Sequence, residues 1–449
     1  MNFEDSSPAR RFSLMLPPNP HALSRRSMMA RTGLVGAAGL LSNFNILRAQ
    51  ATDDKVIRVG LVGAGGRGSG AADQTLSVGG SNVKLTAIGD AFDDRLQRSL
   101  SGLMNKHNDK VDVPVERQFS GLDAYQKVLE HCDLVILATP PGFRPFHFEA
   151  AVKAGKHVFM EKPVCVDAYG AKKVLEVAKQ ADDKNLKVVV GLQRHYQTMY
   201  HETLKQLRDG AIGDVISANV YWNGGAIWYR DRMKDMTEMQ FQVHNWYHFN
   251  WLCGDHICEQ HVHNLDVANW FLDALPISAS GMGGRAVRKP DHQSEIFDHH
   301  AVEFRYPNGI VVNSQCRQIT GCANSVTEEF HGTKGILRPG SIVDYKGNTI
   351  WRYRGKNDAN PYQVEHDELH AAIRGNKPLN NAYYGATSSY TAVLGRYATY
   401  TGKEQKWEES LATNHRTMPE NPTWDSQPPT LPGPNGNYLA PQPGSYKIV

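Results

Sequence analysis

The chain has 449 residues, enough for two domains with full cores once a leader is set aside. Its 49 Lys and Arg against 46 Asp and Glu leave a net charge of +3, much of the basic excess lies at the N-terminus, and nothing resembles a nucleic-acid-binding stripe. Six cysteines with no C-x-x-C pair exclude a dense disulfide framework. Cys253 with Cys258, or Cys316 with Cys322, are close enough in sequence to pair, but buried thiols are expected.

The first element is a leader. Ser24-Arg25-Arg26-Ser27-Met28-Met29 precedes a mildly apolar run from Thr32 to Leu41, and Ala49-Gln50-Ala51 supplies the small residues of a cleavage site. Together these read as a twin-arginine export signal over residues 1–51, although Met28 stands where such leaders usually carry Phe. The apolar run is short and glycine-rich, so no stable membrane anchor is expected. The predicted location is periplasmic or otherwise exported. Twin-arginine export moves folded proteins, which suits an enzyme that loads its cofactor before leaving.

A nucleotide domain is predicted over residues 52–190. The apolar run Val56–Val62 reads as a buried strand and leads into Gly63-Ala64-Gly65-Gly66-Arg67-Gly68. Gly63 permits the tight turn, Gly65 lets the backbone approach a pyrophosphate, and Gly68 allows close packing of helix on strand. The following helix N-terminus offers its unpaired N–H groups to the phosphates. A second strand, Val83 to Gly89, ends at Asp90, about twenty residues after the last glycine. A carboxylate there accepts from both ribose hydroxyls and repels a 2′-phosphate, so NAD is favoured over NADP. Strands at Asp133–Ala138 and His157–Met160 alternate with a helix around Ala150–Ala154, which implies a doubly wound parallel sheet. Thr139, Pro140, Glu161 and Lys162 fall at the carboxyl ends of those strands, where ligands bind.

Several motifs carry a resemblance. Ala138-Thr139-Pro140-Pro141, His147-Phe148-Glu149-Ala150-Ala151 and the run Ala154–Pro163 with its Glu161-Lys162-Pro163 are similar to the glucose–fructose oxidoreductase/inositol dehydrogenase family (Gfo/Idh/MocA). So are Val190–Arg194 and Gly210–Asp214. The resemblance covers most of residues 55–410. It implies a Rossmann domain, then a C-terminal α/β domain with an open, largely antiparallel sheet, and a site in the cleft between them. It also implies oxidation or reduction of sugars and polyols with tightly held NAD(P). The family's catalytic lysine maps onto Lys162. Its D-x-x-x-H motif maps onto the run Glu259 to Asp266, with His263 as the general base and Glu259 in place of the aspartate. A lysine beside a nicotinamide can polarise the reacting hydroxyl, and histidine suits proton transfer near neutral pH. Cys258, His261 and His263 have spacing that a strand could turn toward a metal. At a helix start, positions i and i+2 diverge, so no metal is expected.

The substrate domain is predicted over 191–415. Arg194 and Tyr196, after the crossover strand, are candidates for the cleft. So are Trp228, Tyr229 and Trp246, in segments where aromatic rings alternate with hydrogen-bonding groups, as carbohydrate faces and edges require. Asp298-His299-His300 begins a strand that either reaches the pocket or does not. Helices are predicted from Val364 to Arg374 and over Ala386–Tyr400. The Pro-, Gly- and Asn-rich stretch 416–449 reads as an extended surface tail. The whole is read as an NAD-bound oxidoreductase of a sugar, glycoside or polyol, with a small carbohydrate substrate and a homo-oligomer expected. Oxidation at C3 of a pyranoside is the favoured chemistry. The alternatives are a redox-neutral glycosidase acting by oxidation and elimination, as in glycoside hydrolase family 109, and a non-catalytic sugar-binding protein.

Overall fold

The computed structural model describes residues 55–288 and 294–448, so the leader lies outside the described residues. Two sheets organise the rest. The first contains β1 (Ile57–Val62), β2 (Val83–Asp90), β3 (Gln118–Ser120), β4 (Leu134–Leu137), β5 (His157–Met160) and β6 (Val188–Val190). Their order is β3-β2-β1-β4-β5-β6, and every pairing is parallel. The strands are apolar on both faces because helices cover both sides; β4 is buried along its whole length. Strand order reverses between β1 and β4, and the crevice that this opens lies beyond their carboxyl ends.

After β6 the chain turns through Gln193–Tyr196 into the second sheet. Its strands are β7 (Val215–Gly224), β8 (Ser278–Gly284), β9 (His299–Arg305), β10 (Val311–Gln318), β11 (Ser325–Gly332), β12 (Ile336–Arg338), β13 (Ser341–Val343), β14 (Thr349–Arg352) and β15 (Gln405–Lys406). The order is β14-β13-β12-β11-β7-β10-β9-β8-β15. Only β7 and β10 run parallel; the other pairings are antiparallel. Along β10, Val312, Ser314, Cys316 and Gln318 alternate inward, the period-two pattern of a sheet covered on one face. Val262–Leu272 and Ala382–Thr401 supply that cover.

The helix Pro361–Arg374 returns to the first domain. Its Leu369 joins the core of β1 and β2, and His366 Nδ1 meets Thr75 Oγ1 at 2.6 Å. The division between domains is therefore not linear in sequence. This helix also starts one turn before the predicted Val364, because the Asn360 side chain caps it by accepting from Tyr362 N–H. The tail beyond 416 forms neither helix nor strand, yet it places Met418 and Tyr438 in a buried apolar cluster. All six cysteines are free thiols, five of them buried. Among the described residues no helix is long and apolar enough to cross a membrane.

Candidate active site

The turn after β1 is built for close approach. Gly63 sits at φ 93°, and a Cβ on Gly68 would lie 1.8 Å from the Gly63 carbonyl oxygen. Any side chain at 68 would push the helix Gly66–Leu76 off the strand. At Gly65 and Gly66 an added Cβ would meet nothing within 4 Å, so this face of the turn opens onto free space beside the helix N-terminus. Asp90 closes the ribose side. Its Oδ2 accepts from Ala64 N–H at 2.7 Å and its Oδ1 from Phe92 N–H at 2.9 Å. Burial raises its pKa, and those two amides oppose the shift. A slot beside it is lined by Leu122, Tyr125, Thr139, Pro140, Phe143 and His147, with Val243 facing them from the second domain. The slot is largely apolar and flanked by Asp90, the character that an adenine ring beside its ribose needs. The turn, the carboxylate and the slot together suit a dinucleotide.

Arg144 holds the strand ends in register. It is fully buried and donates to three backbone carbonyls: Leu137, Thr139 and Glu161. Sequence reading passed over it; the available signal was an arginine inside an otherwise apolar helix start. Arg67 turns inward. Its Nε donates to Glu161 Oε1 at 2.5 Å, and its guanidinium lies 3.6 Å from the buried Glu365. Only the backbone of Arg67 faces the phosphate side of the turn.

Lys162 and Glu259 meet across the cleft. Lys162, just past β5, donates from Nζ to the Glu259 carbonyl oxygen at 2.6 Å, with the Glu259 carboxylate 3.5 Å away. Glu259 ends the short helix His256–Glu259. Burial pushes its pKa up to about 7, against the pull of Lys162, and its Oε2 has no partner. His263 sits in the first turn of Val262–Leu272 and stacks on Trp222, ring centroids 5.8 Å apart. Burial, then the charges of Lys162 and Arg194, hold it well below the usual histidine range, so it stays neutral. His261 diverges as the helix start requires, its Nε2 meeting Ser314 Oγ at 2.8 Å.

Other candidates separate. Arg194 forms an ion pair with the buried Glu328, which also accepts from Asn264 at 2.6 Å and Tyr200 at 3.1 Å. Glu328 thus ties the crossover turn to the residue following His263. It was missed in the sequence, although it lies in phase with the inward Phe330 of β11, an unusual place for a lone carboxylate. Tyr196 is a core residue, its hydroxyl accepting from Asn381. Trp228, Tyr229 and Trp246 gather around Tyr247 and His248, and Arg230 lies 3.9 Å over the Trp228 ring. Asp298 is spent on the N–H groups of Ala286, Val287 and Arg288. His300 is buried against Thr399.

Among the described residues, Asp255, His256 and His300 are the group close enough to share a metal ion. Their carboxylate already accepts from His256 N–H and Nδ1, Phe297 N–H and Tyr400 OH. The carboxylate is thus fully engaged within the domain, whereas His256 Nε2 and His300 Nε2 have no hydrogen-bond partner.

The comparisons with known proteins agree with this geometry. Residues 57–192 match the family model described as an oxidoreductase family with an NAD-binding Rossmann fold (GFO_IDH_MocA), and residues 200–338 match the GFO/IDH/MocA C-terminal domain. An inositol 2-dehydrogenase of Rhizobium meliloti (strain 1021) is 23% identical over 303 residues, covering 66% of this chain and 81% of that protein. A glycosyl hydrolase family 109 protein of Streptomyces coelicolor is 28% identical over 166 residues, covering 36% of this chain and 33% of that protein. In fold, the chain is similar to scyllo-inositol dehydrogenase from Lactobacillus casei, solved with NAD(H) and scyllo-inositol. The TM-score is 0.60 at 20% identity, over 80% of this chain and 100% of that one.

Proposed function

The chain belongs to the GFO/IDH/MocA oxidoreductase family, and from that premise we propose that it oxidises a secondary hydroxyl of a sugar, glycoside or polyol with NAD as the tightly held hydride carrier. The observation that carries this reading is the meeting of Lys162 with Glu259 and His263, one group from the first domain and two from the second.

Bound NAD supplies a nicotinamide ring that accepts the hydride leaving the substrate carbon. The remaining work falls to side chains. The Lys162 ammonium donates to the substrate oxygen and stabilises negative charge as its O–H bond weakens. His263, kept neutral, takes the hydroxyl proton. The products are a keto group on the substrate, an imidazolium at His263 and a reduced nicotinamide. Glu259 lies beside Lys162 and carries or releases a proton near neutrality, so it suits passing that proton onward. Ring faces around Trp228 and Trp246 suit the C–H face of a pyranoside. Oxidation at C3 is the favoured position.

A second reading has one observation of its own. Glu259 Oε2 is buried beside the lysine and unpartnered, so it could take a carbon-bound proton next to a freshly formed ketone. Elimination would then expel the aglycone, which takes up a proton, and leave an α,β-unsaturated ketone; water would add across its double bond and the hydride would return to the carbonyl, giving net hydrolysis. A non-catalytic sugar-binding role leaves the Lys162–Glu259–His263 grouping without a purpose. The twin-arginine signal supports export of the folded, loaded protein.

The test is anaerobic incubation of the purified holo-protein with a panel of sugars, polyols and glycosides. Cofactor absorbance and products are followed together. Reduction of bound NAD by at least one of them, with a keto-sugar formed, is expected. Net hydrolysis without lasting reduction would move the assignment to the glycosidase reading.

A further inference from the structure

We propose that the tail segment from Thr417 to Tyr438 is a clasp, which holds the second-domain segment 228–253 over the adenosine end of the cofactor site and prevents NAD from exchanging. The inference rests on the NAD-bound reading above.

One side of the adenosine slot is supplied by the second domain, whose segment 228–253 serves as the lid. Val243, on the helix Glu238–His244, faces the slot opposite Leu122 and Thr139. Further on, the lid backbone comes so close to the turn after Pro141 that a Cβ on Gly142 would lie 2.2 Å from the Trp251 carbonyl oxygen. Adenosine enters or leaves only if this lid moves.

The tail is bonded to the first domain at its start, to both the first domain and the lid at Trp424, and to the lid beyond it. Thr417 donates from N–H and Oγ1 to Asp167 Oδ2 at 2.7 and 2.8 Å, at the start of the first-domain helix Ala168–Asp183. Trp424 packs on Phe92, ring centroids 5.5 Å apart, two positions past Asp90. Its carbonyl accepts from Thr237 Oγ1 at 3.2 Å, at the cap of the lid helix. The Thr430 carbonyl accepts from Gln242 Nε2 at 2.8 Å, on that same helix. Tyr438 is buried against Phe249 and donates its hydroxyl to Glu238. One apolar cluster joins Ala91, Phe92 and Leu122 of the slot wall to Val243 and Phe249 of the lid and to Met418, Trp424 and Tyr438 of the tail.

Phe92 is the junction. The lid also reaches it through His244, edge to face at 5.4 Å, while the Arg95 guanidinium lies 5.0 Å over the Phe92 ring. Prolines spaced along 419–434 stiffen the segment, so little freedom is lost in laying it down. Opening the lid therefore means breaking the lid's own His244–Phe92 contact together with one side of the tail's bridge, either Trp424–Phe92 and Thr417–Asp167 or the Thr237 and Gln242 bonds. That cooperativity acts on the release rate and leaves the chemistry at Lys162 alone.

The test uses the full chain loaded with NAD, as wild type, Trp424→Ala and Thr417→Val. Retained cofactor is assayed through timed dialysis after acid release, and folding is checked by the melting transition. Binding of ADP-ribose and of nicotinamide mononucleotide, which lacks adenosine, is measured separately. Expected is a release at least tenfold faster for Trp424→Ala and a smaller rise for Thr417→Val. ADP-ribose release should quicken in parallel, with binding of the mononucleotide unchanged. Folded variants that hold NAD as long as wild type would overturn the clasp. So would an equal loss of mononucleotide binding, which would mean general loosening. A wild-type protein that never retains NAD would instead defeat the tight-cofactor reading itself.

Discussion

Lys162 Nζ lies 2.6 Å from the backbone carbonyl of Glu259 and 3.5 Å from its carboxylate, across the line where the two domains meet. The carbonyl is the nearer partner. The lysine is thus aimed by the main chain of the second domain, and the carboxylate stands beside it with one oxygen unused. Where the family motif has aspartate, the extra methylene of Glu259 brings an acid alongside the ammonium. In the proposed mechanism the spare oxygen and the neutral His263 serve as the two proton acceptors.

Lys162→Ala and His263→Ala should each abolish hydride transfer while cofactor content stays near normal. Neither residue belongs to the Gly63–Gly68 turn or the Asp90 slot. Loss of a positioned acid–base group typically costs 10²–10⁴-fold. Single-turnover reduction of bound NAD by a reactive sugar measures it. A variant that kept more than about a tenth of the wild-type rate would lose its catalytic assignment.

Glu259 makes stability and rate depend on pH in a stated direction. Burial raises its carboxyl from the ordinary 4.5 to about 7 in the folded chain. A group whose folded pKa is raised contributes stability that is fully present below the unfolded value and is lost as pH rises through the folded one. The loss therefore runs from about pH 4.5 to somewhat above pH 7. Glu259→Gln cannot ionise, so its melting temperature relative to wild type should rise between pH 5.5 and pH 8. Glu295, also pushed up to about 7 by burial, is common to both proteins and cancels in the difference. A pH-independent difference would mean that Glu259 does not titrate in this window.

Asp90→Ala should weaken NAD by tenfold or more and narrow its margin over NADP. The carboxylate holds Ala64 N–H within the glycine turn, so its loss loosens both the ribose site and the turn. Equilibrium binding of both dinucleotides gives the ratio. Unchanged selectivity would remove Asp90 from the ribose site.

The first domain was readable because its signals are local. An apolar strand, a glycine spacing and an acid at the next strand end lie within one stretch of chain, and β5 falls at the predicted His157–Met160. Lys162 and Glu259 meet, and His263 lies near enough to feel the charge of the lysine. What was not readable depends on distant partners. Arg194 answers to Glu328, 134 residues away, and that carboxylate draws it into an internal ion pair. Tyr196 lies in a short 3₁₀ turn, where neither the helical nor the strand period says which side faces the core. Asp298 is claimed by three amides of its own loop. The tail looked like a surface run because proline and glycine content says nothing about the aromatic rings it delivers to Phe92 and Phe249.

An enzyme exported as proposed, with the enclosed NAD proposed above, would have no cellular pool to exchange against, so its oxidised cofactor would have to be restored in place. Two routes do this. A second sugar or other carbonyl acceptor can enter after the first product leaves, take the hydride and receive a proton from His263, giving ping-pong kinetics. Alternatively the hydride returns to the enzyme's own intermediate after Glu259 has removed a neighbouring carbon-bound proton. Both predict turnover without added NAD. They differ in product: the first yields a keto-sugar and a reduced acceptor in equal amounts, the second a hydrolysed or isomerised sugar with no net redox change. Solvent deuterium separates them further, because only the second route exchanges the carbon-bound hydrogen beside the transient ketone. Steady-state turnover of the mature chain, with NAD omitted and products identified, decides. A strict need for stoichiometric NAD, with NADH accumulating in solution, would make this an ordinary exchanging dehydrogenase and would remove the reason for an enclosed cofactor.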